Sequence, residues 1–262
     1  MPELPDVETV ARMLRRRTVG RRIVRAKILS PSTIRSPAPR AFVRLVRGRR
    51  IERVGRRGKY LLVALDGAFT LVVHLRMTGD LAVAPRGTPL HRHTRVVFAL
   101  DGDELRFVDQ RRFGHMDLLP AAAVSGLPGF QRLGVDPTSR GFTLGRFRTR
   151  LRGRRGSLKS LLLRQDLVAG IGNLYADEIL FQARLRPARP VESLRPAEVT
   201  RLHRVIRAVL RRAIEALSGS RRPIGDLLDT RERGAACPRC GRALLVTRIA
   251  GRGTYYCRAC QR

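Results

Sequence analysis

Cysteine is missing from the first 236 residues of this 262-residue chain, lysine occurs three times against 51 arginines, and only 21 acids offset 54 bases. The cysteine gap leaves no disulfide framework through the body of the protein. No stretch approaches the ~18 consecutive apolar residues of a membrane span. The opening Met1-Pro2-Glu3-Leu4-Pro5-Asp6 carries acids where a secretory signal needs a basic flank and an apolar run. Internal repeats and low-complexity tracts are absent too. These absences predict a soluble, intracellular protein with no membrane partner. The 43% apolar content is enough for two cores and a small appended module.

The scarcity of lysine has its own meaning. Arginine is the default base here, as in a GC-rich genome, so much of the net charge of +33 belongs to solvated faces. Even discounted, such a field holds polyanions with steep salt dependence. A lysine kept against that bias marks a specific role, which singles out Lys59 and Lys159 over Lys27.

The four cysteines that do occur are Cys237-Pro-Arg-Cys240 and Cys257-Arg-Ala-Cys260, sixteen residues apart. Two CxxC turns at that separation close a tetrahedral four-sulfur site for one structural Zn2+. Two disulfides or four unrelated thiols are the bland alternative. A zinc ribbon at the end of so basic a chain points to nucleic acid.

Along the chain, Pro5 to Arg17 reads as a helix with acids first and bases last. Short β-like runs follow at Tyr60–Leu65, Thr70–Leu75, Arg95–Leu100 and Glu104–Val108, punctuated by Asp-Gly turns, and predict a sandwich. Residues 121–150 read as loop. Helices are expected at Leu158–Arg164, from Asn173 to about Ala183, and over 197–217, where apolar residues recur at i, i+3, i+4 and i+7.

Three segments carry possible chemistry. Removal of Met1 would expose the secondary amine of Pro2, whose α-amino class titrates at about 8 and is a nucleophile when unprotonated. Glu3 beside it suits proton transfer. Alone, the segment equally reads as a capped helix start. Gly170-Ile-Gly172-Asn173 places two glycines before a helix with Asn173 as N-cap, a phosphate seat or a plain helical hairpin. His74-Leu-Arg-Met77-Thr-Gly79 and Asp109-Gln-Arg111-Arg-Phe113-Gly114 follow strands and could push an apolar wedge and an arginine into a duplex. Met77 and Phe113 serve equally well as core residues.

Together these segments, with Gly58-Lys59-Tyr60 and the terminal Cys260-Gln261-Arg262, resemble the formamidopyrimidine-DNA glycosylase and endonuclease VIII family of base-excision repair enzymes. The Met-Pro-Glu-Leu-Pro start is more similar to the formamidopyrimidine branch. The resemblance implies an α+β fold. An N-terminal catalytic β-sandwich domain with its N-terminal helix (1–125) precedes a helix–two-turn–helix domain (126–232) and a zinc ribbon (233–262), with DNA between the first two. It implies a bifunctional glycosylase and abasic-site lyase, monomeric, cytoplasmic and nucleoid-associated. Its partner is double-stranded DNA containing a damaged base or abasic site, and the target nucleotide is flipped out. Pro2 becomes the nucleophile and Glu3 its proton-transfer partner. Lys59, His91, Asn173 and Arg252 match phosphate-binding positions, Met77, Arg111 and Phe113 match residues that fill the vacated stack, and Lys159 matches a lysine near the lesion. Glu178 stands at the family's spacing after Asn173. A damaged-DNA binder without cleavage activity and a zinc-ribbon RNA-binding protein are the alternative readings.

The chain departs from the family pattern at Asp6, Arg76 and Arg164. Only residues 218–236 separate the long helix from Cys237, which looks too short to cover a flipped purine. That shortness predicts weakened preference for 8-oxoguanine relative to ring-opened purines, oxidised pyrimidines or abasic sites.

Overall fold

Apolar residues in the first half alternate at a period of two and in the second half recur at helical spacing, and the chain folds accordingly. A computed structural model describes residues 1–220 and 225–262. The elements, in order, are α1 (Leu4–Thr18), β1 (Arg25–Ile28), β2 (Ile34–Ser36), α2 (Pro39–Val46) and β3 (Ile51–Arg57). Then come β4 (Tyr60–Leu65), β5 (Phe69–His74), β6 (Gly79–Pro85), β7 (Thr94–Ala99), β8 (Asp103–Asp109) and β9 (His115–Pro120). The rest are α3 (Pro128–Gln131), α4 (Leu144–Leu151), α5 (Leu158–Leu163), α6 (Asn173–Gln182), α7 (Pro196–Ser220), β10 (Leu245–Ile249) and β11 (Arg252–Tyr256).

The chain divides into two units. The first holds Met1–Pro2 and Asp6–Gln131, the second Glu3–Pro5 and Arg132–Arg262. In the first, a four-stranded sheet of order β1-β7-β8-β6 and a five-stranded sheet of order β2-β9-β5-β4-β3 share one core. Leu61, Val63, Leu71 and Val73 of one sheet and Val96, Phe98, Leu105 and Phe107 of the other are all within 2% of full burial, and α1 adds Val7, Ala11 and Leu14. That is the expected sandwich. The unit extends past residue 125, because Phe130 packs on Tyr60 at 4.8 Å between ring centroids and carries α3 with it.

The second unit is built on α7, whose Leu202, Ile206, Leu210 and Ala213 are fully buried at helical spacing. Glu198 caps its start, accepting from the Arg195 backbone N–H at 2.9 Å. The loop expected over 121–150 is a helix at its far end. Thr143 caps α4 by accepting from Arg146 N–H, and Phe147 and Leu151 bury one face. Gly145 and three arginines hide that two-residue face from the sequence pattern. The ribbon does not stand apart: Phe181 of α6 lies in one cluster with Leu227, Cys237, Leu244 and Cys257. By contacts it groups with the helical unit. Of the short segment 218–236, residues 221–224 lie outside the described residues. Among the others, Leu228–Thr230 forms a 3-10 turn.

Candidate active site and nucleic-acid interface

Two glycines and a helix start are expected to offer amides to a phosphate; the chain supplies the anion itself. The Glu3 carboxylate accepts from the backbone N–H of Gly172 at 2.8 Å, of Leu174 at 2.8 Å and of Tyr175 at 3.2 Å. Gly172, not Asn173, is the N-cap of α6. An ionised carboxylate at the positive end of a helix, taking amides that the helix cannot satisfy internally, is a favourable arrangement. The glycines make room for it. A Cβ on Gly172 would lie 2.3 Å from Glu3 Cδ, and one on Gly170, at φ +96°, would lie 2.7 Å from Leu4 Cβ. The Gly-Ile-Gly-Asn motif thus holds the N-terminal segment and fixes the carboxylate one residue along from the partly exposed Pro2.

At one end of the sandwich a second carboxylate does comparable work. Asp109 closes β8, is fully buried, and accepts from Gly114 N–H at 2.7 Å, from Arg111 N–H at 3.2 Å and from the Thr78 hydroxyl. Register pairing of Gly79 with Asp109 brings the 75–78 turn and the 110–114 turn side by side. Met77 and Phe113 are left 38% and 52% exposed, and the Arg111 guanidinium lies 4.8 Å over the Phe113 ring. Neither apolar side chain is in the core. The signal for Asp109 in the sequence is an aspartate that closes a strand five residues before a glycine, a turn pattern rather than a chemical motif.

Around it, Lys59 occupies the turn between β3 and β4 and is 8% exposed. Tyr60 pairs with His74, whose ring contacts that of Tyr60 at 4.6 Å and stacks on His115 at 5.5 Å. Burial, then the nearby Arg76 and His115, push His74 down to about 3, so its ring is neutral at neutral pH. Its Nδ1 accepts from Arg76 N–H at 3.0 Å. His91 is exposed on the β6–β7 connection, 5.2 Å from the His93 ring.

In the helical unit, Asn173, Lys159 and the hairpin of β10 and β11 converge. Arg252 is exposed, directly after the hairpin turn, and the next carbonyl, Gly253 O, accepts from Asn173 Nδ2 at 3.2 Å. Lys159 departs from the expected DNA contact. Its side chain is fully buried, with Nζ 2.6 Å from Asp177 Oδ1 and 3.1 Å from Gly253 O. Burial pushes its ammonium down from the ordinary lysine range, against the pull of Asp177. Glu178 points the other way from the same turn of α6 and accepts from the N–H groups of Asp226, Leu227 and Leu228 at 2.9–3.1 Å.

The four sulfurs lie within 4.8 Å of one another, with Cys237–Cys260 at 3.9 Å and Cys240–Cys257 at 3.5 Å. A disulfide needs ~2.05 Å, whereas a tetrahedron with Zn–S bonds of ~2.3 Å has edges of about 3.8 Å. The cluster fits one structural zinc. Burial pushes the Cys257 and Cys260 thiols up, so a dication's charge is what lets four thiolates coexist there.

Three family models divide the chain between them: the formamidopyrimidine-DNA glycosylase N-terminal domain over residues 1–116, the corresponding H2TH domain over 133–223, and the zinc finger found in FPG and IleRS over 234–262. The formamidopyrimidine-DNA glycosylase of Symbiobacterium thermophilum is 47% identical, covering 100% of this chain and 89% of that protein. That of Pelotomaculum thermopropionicum is 42% identical, covering 100% and 99%. Among solved structures, a complex between the Lactococcus lactis Fpg and DNA containing an abasic site superposes with a TM-score of 0.91 at 32% identity, covering 99% of both chains. A complex of the same protein with DNA containing an oxidised pyrimidine gives 0.90 at 32%, again covering 99% of both. This chain belongs to the formamidopyrimidine-DNA glycosylase family.

Proposed function

We propose that this chain is a base-excision repair enzyme that removes an oxidised or ring-opened base from double-stranded DNA and then nicks the strand. The Pro2 nitrogen attacks the sugar C1′, the glycosidic bond breaks, and the base leaves with a proton. Loss of the ring oxygen's bond to C1′ leaves an iminium on the opened sugar. Removal of a C2′ proton then expels the 3′ phosphate, and a second elimination expels the 5′ phosphate. Glu3 serves the proton transfers. The carrying observation is the Glu3 carboxylate held by three α6 amides, since a helix start built around residue 3 fixes the position of the residue before it.

Phe113, Met77 and Arg111 form the wedge that enters the stack beside the flipped nucleotide. Arg252, Lys59, His91 and Asn173 serve backbone phosphates, with Asn173 sharing its amide with Gly253 O. The solved relatives are complexes with abasic-site, formamidopyrimidine and oxidised-pyrimidine DNA, which supports that range of lesions. Among the described residues no helix is long and apolar enough to cross a membrane; a monomer working inside the cell on the nucleoid fits the chemistry.

Borohydride trapping on an abasic-site duplex, with mass mapping of the linked peptide, tests the mechanism. A crosslink on the Pro2 amine is expected. Tight binding without a crosslink, from zinc-loaded protein with Pro2 exposed, would make this a damage-binding protein. Excision rates on 8-oxoguanine against 5-hydroxyuracil test the lesion range, and a clear 8-oxoguanine preference overturns the reading drawn from the short 218–236 segment.

A further inference from the structure

We propose that Lys159, Asp177 and Arg231 form a buried latch that fixes the zinc-finger hairpin, and with it Arg252, against the first turn of α6. The inference rests on the reading of Arg252 as a phosphate contact.

The latch centres on one backbone oxygen. Gly253 O accepts from Lys159 Nζ at 3.1 Å, from Asn173 Nδ2 at 3.2 Å and from Arg231 Nη2 at 3.2 Å. A carbonyl has two lone pairs, so three donors, two of them cationic, are one more than it can fully serve. Asp177 gathers the same cations from the other side. Its Oδ1 lies 2.6 Å from Lys159 Nζ, and its Oδ2 accepts from Arg231 Nη2 at 2.9 Å and from the Tyr255 backbone N–H at 3.3 Å. The Arg231 guanidinium also lies 4.3 Å over the Tyr255 ring. Lys159 and Asp177 are completely buried.

Geometry, not stability, is what such a cluster supplies. A fully buried ion pair gains little net stability over a well-packed apolar pair, because desolvating both charges offsets their attraction. Its hydrogen bonds are directional, however, and these converge on the hairpin residues just after Arg252. Burial acts on both partners, pushing Lys159 down and Asp177 up, and the more distant Glu3 carboxylate favours the charged lysine. The cluster therefore joins the hairpin, the Asn173 side chain and the region of Glu3. This also accounts for a lysine surviving at position 159 in an arginine-biased chain. A guanidinium is broader than the single ammonium that bridges Asp177 and Gly253 O here.

The test uses full-length, zinc-loaded protein carrying Lys159→Met with Asp177→Leu, an apolar replacement of similar volume, in parent and Arg252→Ala backgrounds. Binding to a duplex with a tetrahydrofuran abasic analogue is measured against salt, beside thermal unfolding and zinc content. The double variant leaves Arg231 without its carboxylate and is expected to unfold below the parent temperature while remaining folded with one zinc at the assay temperature, yet to lose roughly tenfold in affinity, with its salt slope lower by about 0.9. Adding Arg252→Ala should then change nothing further. Parent-like binding, or losses that add in full to those of Arg252→Ala, would overturn the latch. If Arg252→Ala alone leaves the slope unchanged, the phosphate reading fails by itself. The latch is then judged by amide exchange across Arg252–Tyr256: faster exchange upholds it and unchanged exchange refutes it. Should the apolar pair not fold, Asp177→Glu keeps the charge on a longer arm and should show the same loss of slope.

Discussion

Glu3 and Asp109 are both buried carboxylates that gather backbone amides, and they do so to opposite ends. Asp109 works locally, ordering two turns so that Met77 and Phe113 stand outward. Glu3 works across 169 residues of sequence, and the carboxylate it fixes is itself the candidate reactive group. One anion presents other side chains; the other is itself presented. The loops of the sandwich should therefore tolerate change in steps, while the helical unit concentrates function in a few positions.

The sharpest way to break the comparison is Glu3→Gln. Its shape is kept, but an NH2 replaces one oxygen facing three donors, so single-turnover excision should fall ~10²–10⁴-fold, the range of a lost acid–base group. A loss below tenfold would reduce Glu3 to a helix cap. Gly172→Ala comes next. The new methyl must displace Glu3 from 2.3 Å, and a shift of about 1 Å in a catalytic group costs on the order of 10²-fold. Salt dependence of binding should stay as in the parent, which binding titrations check.

On the other side, Asp109→Ala strands the donors of Gly114 and Thr78, leaves the Arg111 N–H only the Thr78 hydroxyl, and should destabilise by about 2–4 kcal/mol in chemical denaturation. It should also slow base flipping, followed with a fluorescent base analogue. Phe113→Ala should slow flipping comparably while leaving stability within ~0.5 kcal/mol, because its ring is half exposed. Equal stability losses in the two variants would mean that the wedge is part of the core.

The last effect is absent at neutral pH and grows with acid. The folded-state pKa of His74 is depressed to about 3, so the folded protein binds its proton less readily than the unfolded chain. Its contribution to stability is complete above about 6.5 and is lost as pH falls from there towards 3. His74→Gln should flatten the stability–pH curve in that window by up to one proton's worth of slope. An unchanged curve would assign acid sensitivity elsewhere.

Local chemistry was legible in the sequence where neighbours in sequence decide the outcome. Tyr60–Leu65 is a strand at both ends as expected, α7 follows its apolar spacing, and the two CxxC turns meet. What was not legible depends on partners far along the chain. Nothing near Gly172 announces that residue 3 will occupy its amides, so an internal cap resembled an empty phosphate seat. Rarity draws attention to Lys159, yet nothing around position 159 announces that its side chain is buried against Asp177. The α4 helix was hidden because two buried residues, Phe147 and Leu151, are too few to set a period among arginines.

The burial of two of the three lysines has a practical corollary. Amine-directed reagents that spare arginine should find one open lysine side chain, Lys27 on β1, besides the α-amine. A fluorophore or surface tether placed by ordinary acylation would then sit on the sandwich. The degree of labelling would report directly whether Lys59 or Lys159 had come loose.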